Sequence, residues 1–445
     1  MAAHPMVKSS IFNYLSKVLP SVVAFAYTIL LTTYLGPENY GLYNYIPAVL
    51  VGFFSLLGGT FLNNILWTFT ARKKSKDFFI KIMIATLILS VLLALSANIL
   101  SSTIMDFFKI SQPELVLIIS IFLIVSPVNT IFVALFKGFS KFGIALKAAL
   151  VENIITLIFI AALVAVLNFG LMGAFIAKIL ALGLSIAYLK ITSKNLYFSG
   201  KKVTRNEIKR YGFWNILTNF LREAMKQVEL IIMGTSINAT LLGGYYLIDK
   251  LTKIIISNLS FSMQEIVFSK NSEDYGNKEK IAWYAGKAIR IGFILNLILG
   301  ALSMVVIPII ILFIFPSFAY AIPYLGIFVL TLLVRSQQPL TGIFDSINET
   351  KNNFKISVFN IILLVAVLVP LTYFFSLWGY LVSCLIISEL SYFYNLQMLK
   401  RYKIMVKVIP TAQDAQETLA ILINLIRGTL IKISMRKKGL LNKKH

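Results

Sequence analysis

Residues 82–100 read IMIATLILSVLLALSANIL, nineteen positions without a charged side chain. A run of about 20 apolar residues is what a helix needs to span a bilayer. The run sits within one of twelve such segments, near 11–31, 43–70, 79–102, 115–136, 148–168, 171–190, 211–233, 242–265, 287–314, 322–344, 355–375 and 377–398. The whole chain agrees with this reading. Of its 445 residues 58% are hydrophobic and 13% charged, with a mean hydropathy of +0.82, whereas a soluble domain carries about 25% charged residues. The sequence therefore specifies an all-α polytopic membrane protein. It excludes a soluble enzyme, a secreted disulfide scaffold and a nucleic-acid binder. Cys384 is the one cysteine, and His4 and His445 lie at the two ends, so neither a disulfide nor a metal cluster is expected. No cofactor is called for. The first apolar run has no small-residue cleavage site after it and reads as a retained helix.

The formal charge of +24 is sorted by loop. Lys8 and Lys17 precede the first turn, which has only Glu38. Arg72, Lys73, Lys74, Lys76 and Lys81 outnumber Asp77, and the following loop has Asp106, Lys109 and Glu114. Lys137, Lys141 and Lys147 come next, then an uncharged turn at Gly170, then seven Lys/Arg against Glu207 in 190–210. The turns near Asn238, Pro316 and Leu377 are uncharged, while 266–290 is basic by five to three and 345–355 is balanced. The tail 400–445 has eleven Lys/Arg against two acids. Positive loops stay in the cytoplasm. Both termini are thus expected inside a plasma or inner membrane, with an even number of spans. RNA or anionic-lipid binding is the other use for basic residues, but it leaves the alternation unexplained. Within 419–434, Leu419, Leu422, Ile423, Leu425, Ile426, Leu430 and Ile433 share one face opposite Asn424, Arg427, Gly428 and Lys432. That pattern predicts a helix lying on the anionic inner leaflet rather than a thirteenth span.

The chain repeats itself after about 200 residues. Leu35-Gly36-Pro37-Glu38-Asn39-Tyr40-Gly41-Leu42-Tyr43 matches Met233-Gly234-Thr235-Ser236 leading into Leu242-Gly243-Gly244-Tyr245-Tyr246, and Leu171-Met172-Gly173 matches Leu377-Trp378-Gly379. The expected organisation is a lobe of six helices in 1–200, a second in 201–400, and a basic tail in 401–445. Parallel repeats of this kind place a transporter's site between the halves near midplane. Common Gly and Tyr at helix ends is the alternative source of the match.

The LGPENYGLY turn resembles the LGPxxYGxY turn of polysaccharide-biosynthesis (Wzx-like) flippases, in the multidrug/oligosaccharidyl-lipid/polysaccharide (MOP) exporter superfamily. Tyr211-Gly212, Glu229-Leu230-Ile231-Ile232-Met233-Gly234, Gly244-Tyr245-Tyr246, Pro370 and Leu377-Trp378-Gly379-Tyr380 extend the likeness over roughly 7–400. Glu229 stands where that family has Asp. The resemblance implies a two-lobed, V-shaped, twelve-helix carrier. Its substrate would be an undecaprenyl- or dolichyl-type diphosphate oligosaccharide, moved from the cytoplasmic to the outer leaflet. A monomer is expected, with a glycan polymerase or ligase as the protein partner such a role allows.

Charged groups within a bilayer face an interior or a water-filled cavity. Asn215, Thr218, Asn219, Arg222, Lys226 and Glu229 fall on one face of the seventh span, with Arg222 and Lys226 near midplane. The eighth has Tyr246, Asp249, Lys253, Ser257, Ser260 and Gln264 in a stripe, with Lys250 beside it. Ser10, Asn13, Lys17, Ser21 and Thr28 line the first, Thr331, Arg335 and Gln338 the tenth, and Lys178 reads as isolated. The functional reading is a wet cationic cavity. Arg222, Lys226, Lys253, Arg335 and Lys17 would hold a diphosphate, with Asn215 and Asn219 on sugar hydroxyls. Internal pairing, Asp249 with Lys253 and Lys226 with Glu223 or Glu229, is the competing reading. Glu229, Asp249, Glu152 and Glu389 are candidate coupling carboxylates. Glu265 suits a snorkelling helix end, and Pro20, Pro127, Pro308, Pro339 and Pro370 are candidate bends. A glycan ligase or polymerase would need a long outer loop, and a primary pump would need Gly-x4-Gly-Lys-Ser/Thr. Neither occurs. A cation-coupled drug exporter of the same superfamily is the nearest rival, but the midplane charges lean basic.

Overall fold

The structure is a computed structural model describing residues 5–419 apart from 111, 140, 200–202, 205–212, 255–276, 335–339, 341–342 and 345–348; side chains of 5–19, 71–72, 213–216, 332 and 350 lie outside the description. The chain is helical: α1 (Pro5–Phe54), α2 (Thr60–Lys73), α3 (Lys76–Ile99), α4 (Ser101–Phe108), α5 (Pro113–Gly138), α6 (Phe142–Ile160) and α7 (Gly170–Ser193) form the first half. The second half holds α8 (Phe213–Ser236), α9 (Ala239–Thr252), α10 (Lys278–Ile314), α11 (Leu325–Val334), α12 (Thr350–Leu363) and α13 (Val369–Arg401). Local chemistry sets the joints. Lys74 ends α2 in the left-handed region and Ser75 caps α3 by accepting from Phe78 N, while Asn238 caps α9 by accepting from Leu241 N at 2.8 Å.

Seven helical stretches among the described residues are long and apolar enough to cross a membrane, and two of them, Pro20–Thr70 and Lys351–Arg401, run to 51 residues. Straight, each would measure about 76 Å, more than twice a bilayer's hydrocarbon thickness. Both turn back. At Gly36 φ is 69°, a conformation glycine adopts without a Cβ clash. Tyr27 and Tyr43, on either side, lie within electrostatic range of each other, where an unbroken helix would hold them about 24 Å apart. At Ser376 φ is 51°. Across that reversal Ser383 Oγ donates to Val367 O at 3.4 Å and Phe359 stacks on Tyr394 at 4.4 Å.

Among the described residues, buried side chains form three cores. The largest takes Leu31, Tyr40, Tyr45 and Phe175 from the first half and Leu242, Leu247, Phe318 and Tyr380 from the second. It lies at the end of the short turns that carry few charges. At the end of the basic loops the halves have separate cores. Ile65, Leu66, Phe69, Leu135, Phe136 and Leu189 make one, and Ile281, Ile289, Phe344, Ile356 and Leu399 the other. Among the described residues, the halves thus share a core at one end and keep separate cores at the other.

The first part of the tail is docked against the second half. Ile404 is buried in its core, Tyr402 Oη donates to Glu349 at 3.2 Å, and Arg290 bonds both Asp414 at 2.8 Å and Lys407 O at 2.6 Å. Lys287 pairs with Glu417 at 2.8 Å. Thr411 and Asp414 cap residues 412–419 reciprocally, Thr411 N donating to Asp414 Oδ2 at 2.9 Å and Asp414 N to Thr411 Oγ1 at 3.3 Å. The two acids of the basic tail are the groups that fasten it. Burial alone would push the Asp414 carboxyl up, but bonds from Thr411 and Arg290 outweigh it and hold it at about 2. Docking should therefore be at full strength above about pH 4 and be lost as pH falls toward about 2. Hydrogen exchange over 403–418 reports it. Asp414→Asn should raise that exchange already at pH 7; unchanged protection would mean Ile404 packing suffices. The interfacial helix expected at 419–434 lies outside the described residues beyond Leu419.

Candidate functional site

α8 lies between the halves. Tyr45 of α1 donates to Leu230 O at 2.8 Å, and Gly52 lets Gln227 lie against the α1 backbone. On its other side α8 packs against α12. Lys226 pairs with Glu223 at 3.0 Å, with 63% of its side chain exposed. Glu229 accepts a hydrogen bond from Tyr380 Oη, whose ring meets Tyr245 edge-on at 5.5 Å. On α9, Lys253 pairs with Asp249. Arg222 is different. It is half-buried, one turn before Lys226, and makes no hydrogen bond or ion pair with any described residue. Nearby, Thr218 Oγ1 and Gln227 Oε1 are buried without hydrogen-bond partners.

Internal pairing, one of the two readings of the sequence, thus covers Lys226 and Lys253 but leaves Arg222 as the uncompensated cation of α8 among the described residues. Asn219 is half-buried on the same helix and Glu389 half-buried on α13. Asn215 and Lys17 lie on α8 and α1 with undescribed side chains, and Arg335, Gln338 and Glu265 lie outside the described residues.

A second polar cluster overturns one expectation. Lys178 is not isolated: its ammonium pairs with Glu152 at 2.6 Å, joining α7 to α6. Asn129 Nδ2 donates to the other Glu152 oxygen at 3.3 Å, and Ser185 Oγ donates to Asn129 Oδ1 at 3.0 Å. Lys250, from α9 in the other half, stands 4.5 Å from the centre of the Tyr27 ring on α1. Tyr27 feels Lys250, Lys178 and Glu152 together. Helical wheels missed this cluster because its partners are 23, 26 and 56 residues apart. The available signal was that Asn129, Glu152 and Lys178 each lie inside an apolar span, where lone charges are rare.

Comparison with known proteins assigns the chain. The model of the polysaccharide biosynthesis protein family matches residues 6–272. The chain belongs to that family. Its fold is that of the MOP superfamily. An inward-facing multidrug resistance MATE family transporter superposes with TM-score 0.66 at 16% identity, covering 88% of this chain and 99% of that one. An outward-facing one gives 0.63 at 16%, covering 88% and 96%. A MOP superfamily transporter from Pyrococcus furiosus Vc1 (DSM3638), described by the reverse polarity of its binding pocket, gives 0.61 at 17%, covering 89% and 96%. Identities this low speak for the fold alone. No protein of curated function shows significant sequence similarity. Family and fold make the chain a polysaccharide biosynthesis protein built as a multi-pass helical membrane protein.

Proposed function

We propose that the protein flips a polyprenyl-diphosphate-linked oligosaccharide from the cytoplasmic to the outer leaflet by alternating access. Twelve spans in two six-helix lobes, 1–200 and 201–400, rock about the core they share. Arg222 carries the reading. A half-buried guanidinium without a counter-ion, on the helix between the lobes, suits a ligand that brings its own negative charge, and its planar fork matches phosphate oxygens. With the basic loops in the cytoplasm, the end at which the described halves keep separate cores faces inward, where the substrate is made. Asn219 supplies hydrogen bonds of the kind sugar hydroxyls need.

Reconstituted protein should move a lipid-linked oligosaccharide across vesicles and leave a fluorescent cation in place. Efflux of the cation without translocation of the glycan would make it a drug exporter of the same superfamily instead. Topology has its own check in a Cys384→Ser background. A cysteine at Asn238, exposed at the joined end, should react with an impermeant thiol reagent from outside. Cysteines at Lys201 or Gly439 should not; labelling at Gly439 in intact cells requires an odd number of spans.

A further inference from the structure

We infer that Lys178 and Lys250 form a seat for an anionic phosphate group, and that Glu152 occupies it when no ligand is bound. The cluster holds two ammoniums and one carboxylate: Lys178 pairs with Glu152, while Lys250, from the opposite lobe, stands over the Tyr27 ring. Lys178 and Lys250 are within electrostatic range of each other and of Tyr27. Glu152 is spent on Lys178 and Asn129, and Asp249, the next acid on α9, is spent on Lys253. Lys250 is left with an aromatic face and hydroxyl. An excess of buried positive charge is relieved by an anion.

Depth and exposure leave the pair within reach of a ligand. Lys250 lies 12 residues past Asn238 and Lys178 eight past Gly170, placing their backbones about 18 and 12 Å from the joined end. The side chains of Lys178 and Glu152 remain 23% and 18% exposed, so an incoming group can reach them. A phosphate that binds both ammoniums must displace the Glu152 carboxylate from Lys178. Asn129, bonded to Ser185, holds the carboxylate from behind and gives it a partner once displaced. Ligand and Glu152 exchange places, and the empty carrier keeps the pair neutral. The ammoniums belong to different lobes, so the ligand also ties the lobes together. This rests on the substrate's being a diphosphate, but the seat is distinct from Arg222.

The test is ligand-induced thermal stabilisation of purified, lipid-reconstituted protein, titrated with inorganic pyrophosphate and with farnesyl diphosphate. Glu152→Gln removes the competing charge and keeps the shape, so it should bind pyrophosphate about tenfold more tightly than the natural protein. Glu152→Asp, which draws the charge back from Lys178, should gain less. Lys178→Gln and Lys250→Gln should each lose about tenfold, and Arg222→Ala should leave the Glu152→Gln gain intact. If folded Glu152→Gln and Glu152→Asp bind no more tightly than the natural protein, the seat does not exist. A gain seen with pyrophosphate but absent with farnesyl diphosphate would keep the seat, assign it to a free anion and remove the lipid-linked substrate.

Discussion

Arg222→Ala should abolish most glycan translocation, by about a hundredfold. A hydrogen bond to a charged group contributes up to about 3 kcal/mol, which is roughly 150-fold in affinity. Arg222→Lys should recover part of it, because the charge returns without the two-pronged geometry. Lys226→Ala should cost less than tenfold, since that ammonium is largely exposed and already paired with Glu223. The contrast matters. On the sequence alone the two cations look equivalent, one turn apart on one polar face, and only the pairing separates them. Abundance in the membrane and thermal stability should hold or improve in Arg222→Ala, because no described partner is left unpaired. Normal translocation by Arg222→Ala, or its disappearance from the membrane, would make Arg222 a packing element and leave the Lys178–Lys250 pair as the phosphate site.

What the sequence showed and what it hid follow from the range of each interaction. Membrane class, helix ends at Gly36 and Asn238, and the Asp249–Lys253 pair depend on neighbours in sequence, so composition and a helical wheel expose them. The same wheel allowed Lys226 two partners, Glu223 and Glu229. The choice fell to Glu223 because Glu229 is engaged by Tyr380, 151 residues away. Lys178 was misread for the same reason. Its partner lies on another helix, and periodicity within one helix cannot join the two. The tail reads as basic because its two acids are summed with its eleven cations. Asp414 and Glu417 act singly, each on one residue of α10.

Gly243→Leu should force the joined end apart and stop the cycle in the state open on that side. The repeat motifs explain themselves here, since the two matching segments pack on each other. A Cβ at Gly243 would fall 2.1 Å from Pro37 O, and one at Gly41 would fall 2.3 Å from Ala239 O and 2.8 Å from Gly243 N. The obstructing atoms are backbone, so no rotamer change makes room. Overpacking of this kind costs about 1–3 kcal/mol where side chains can adjust, and more is expected against a fixed carbonyl. That penalty falls on the joined state alone, and about 3 kcal/mol shifts a two-state balance by roughly 150-fold. Val49, 2% exposed in the shared core, serves as reporter when replaced by cysteine in a Cys384→Ser background. Its labelling by an impermeant reagent from outside should rise at least about tenfold in Gly243→Leu or Gly41→Leu, with a matching fall in translocation. Gly183→Leu is the control, because nothing lies within 4 Å of a Cβ there, and it should change neither. Fast translocation by a folded Gly243→Leu protein, with Val49→Cys still shielded, would mean that the α1–α9 contact is not the seal and that the lobes part elsewhere.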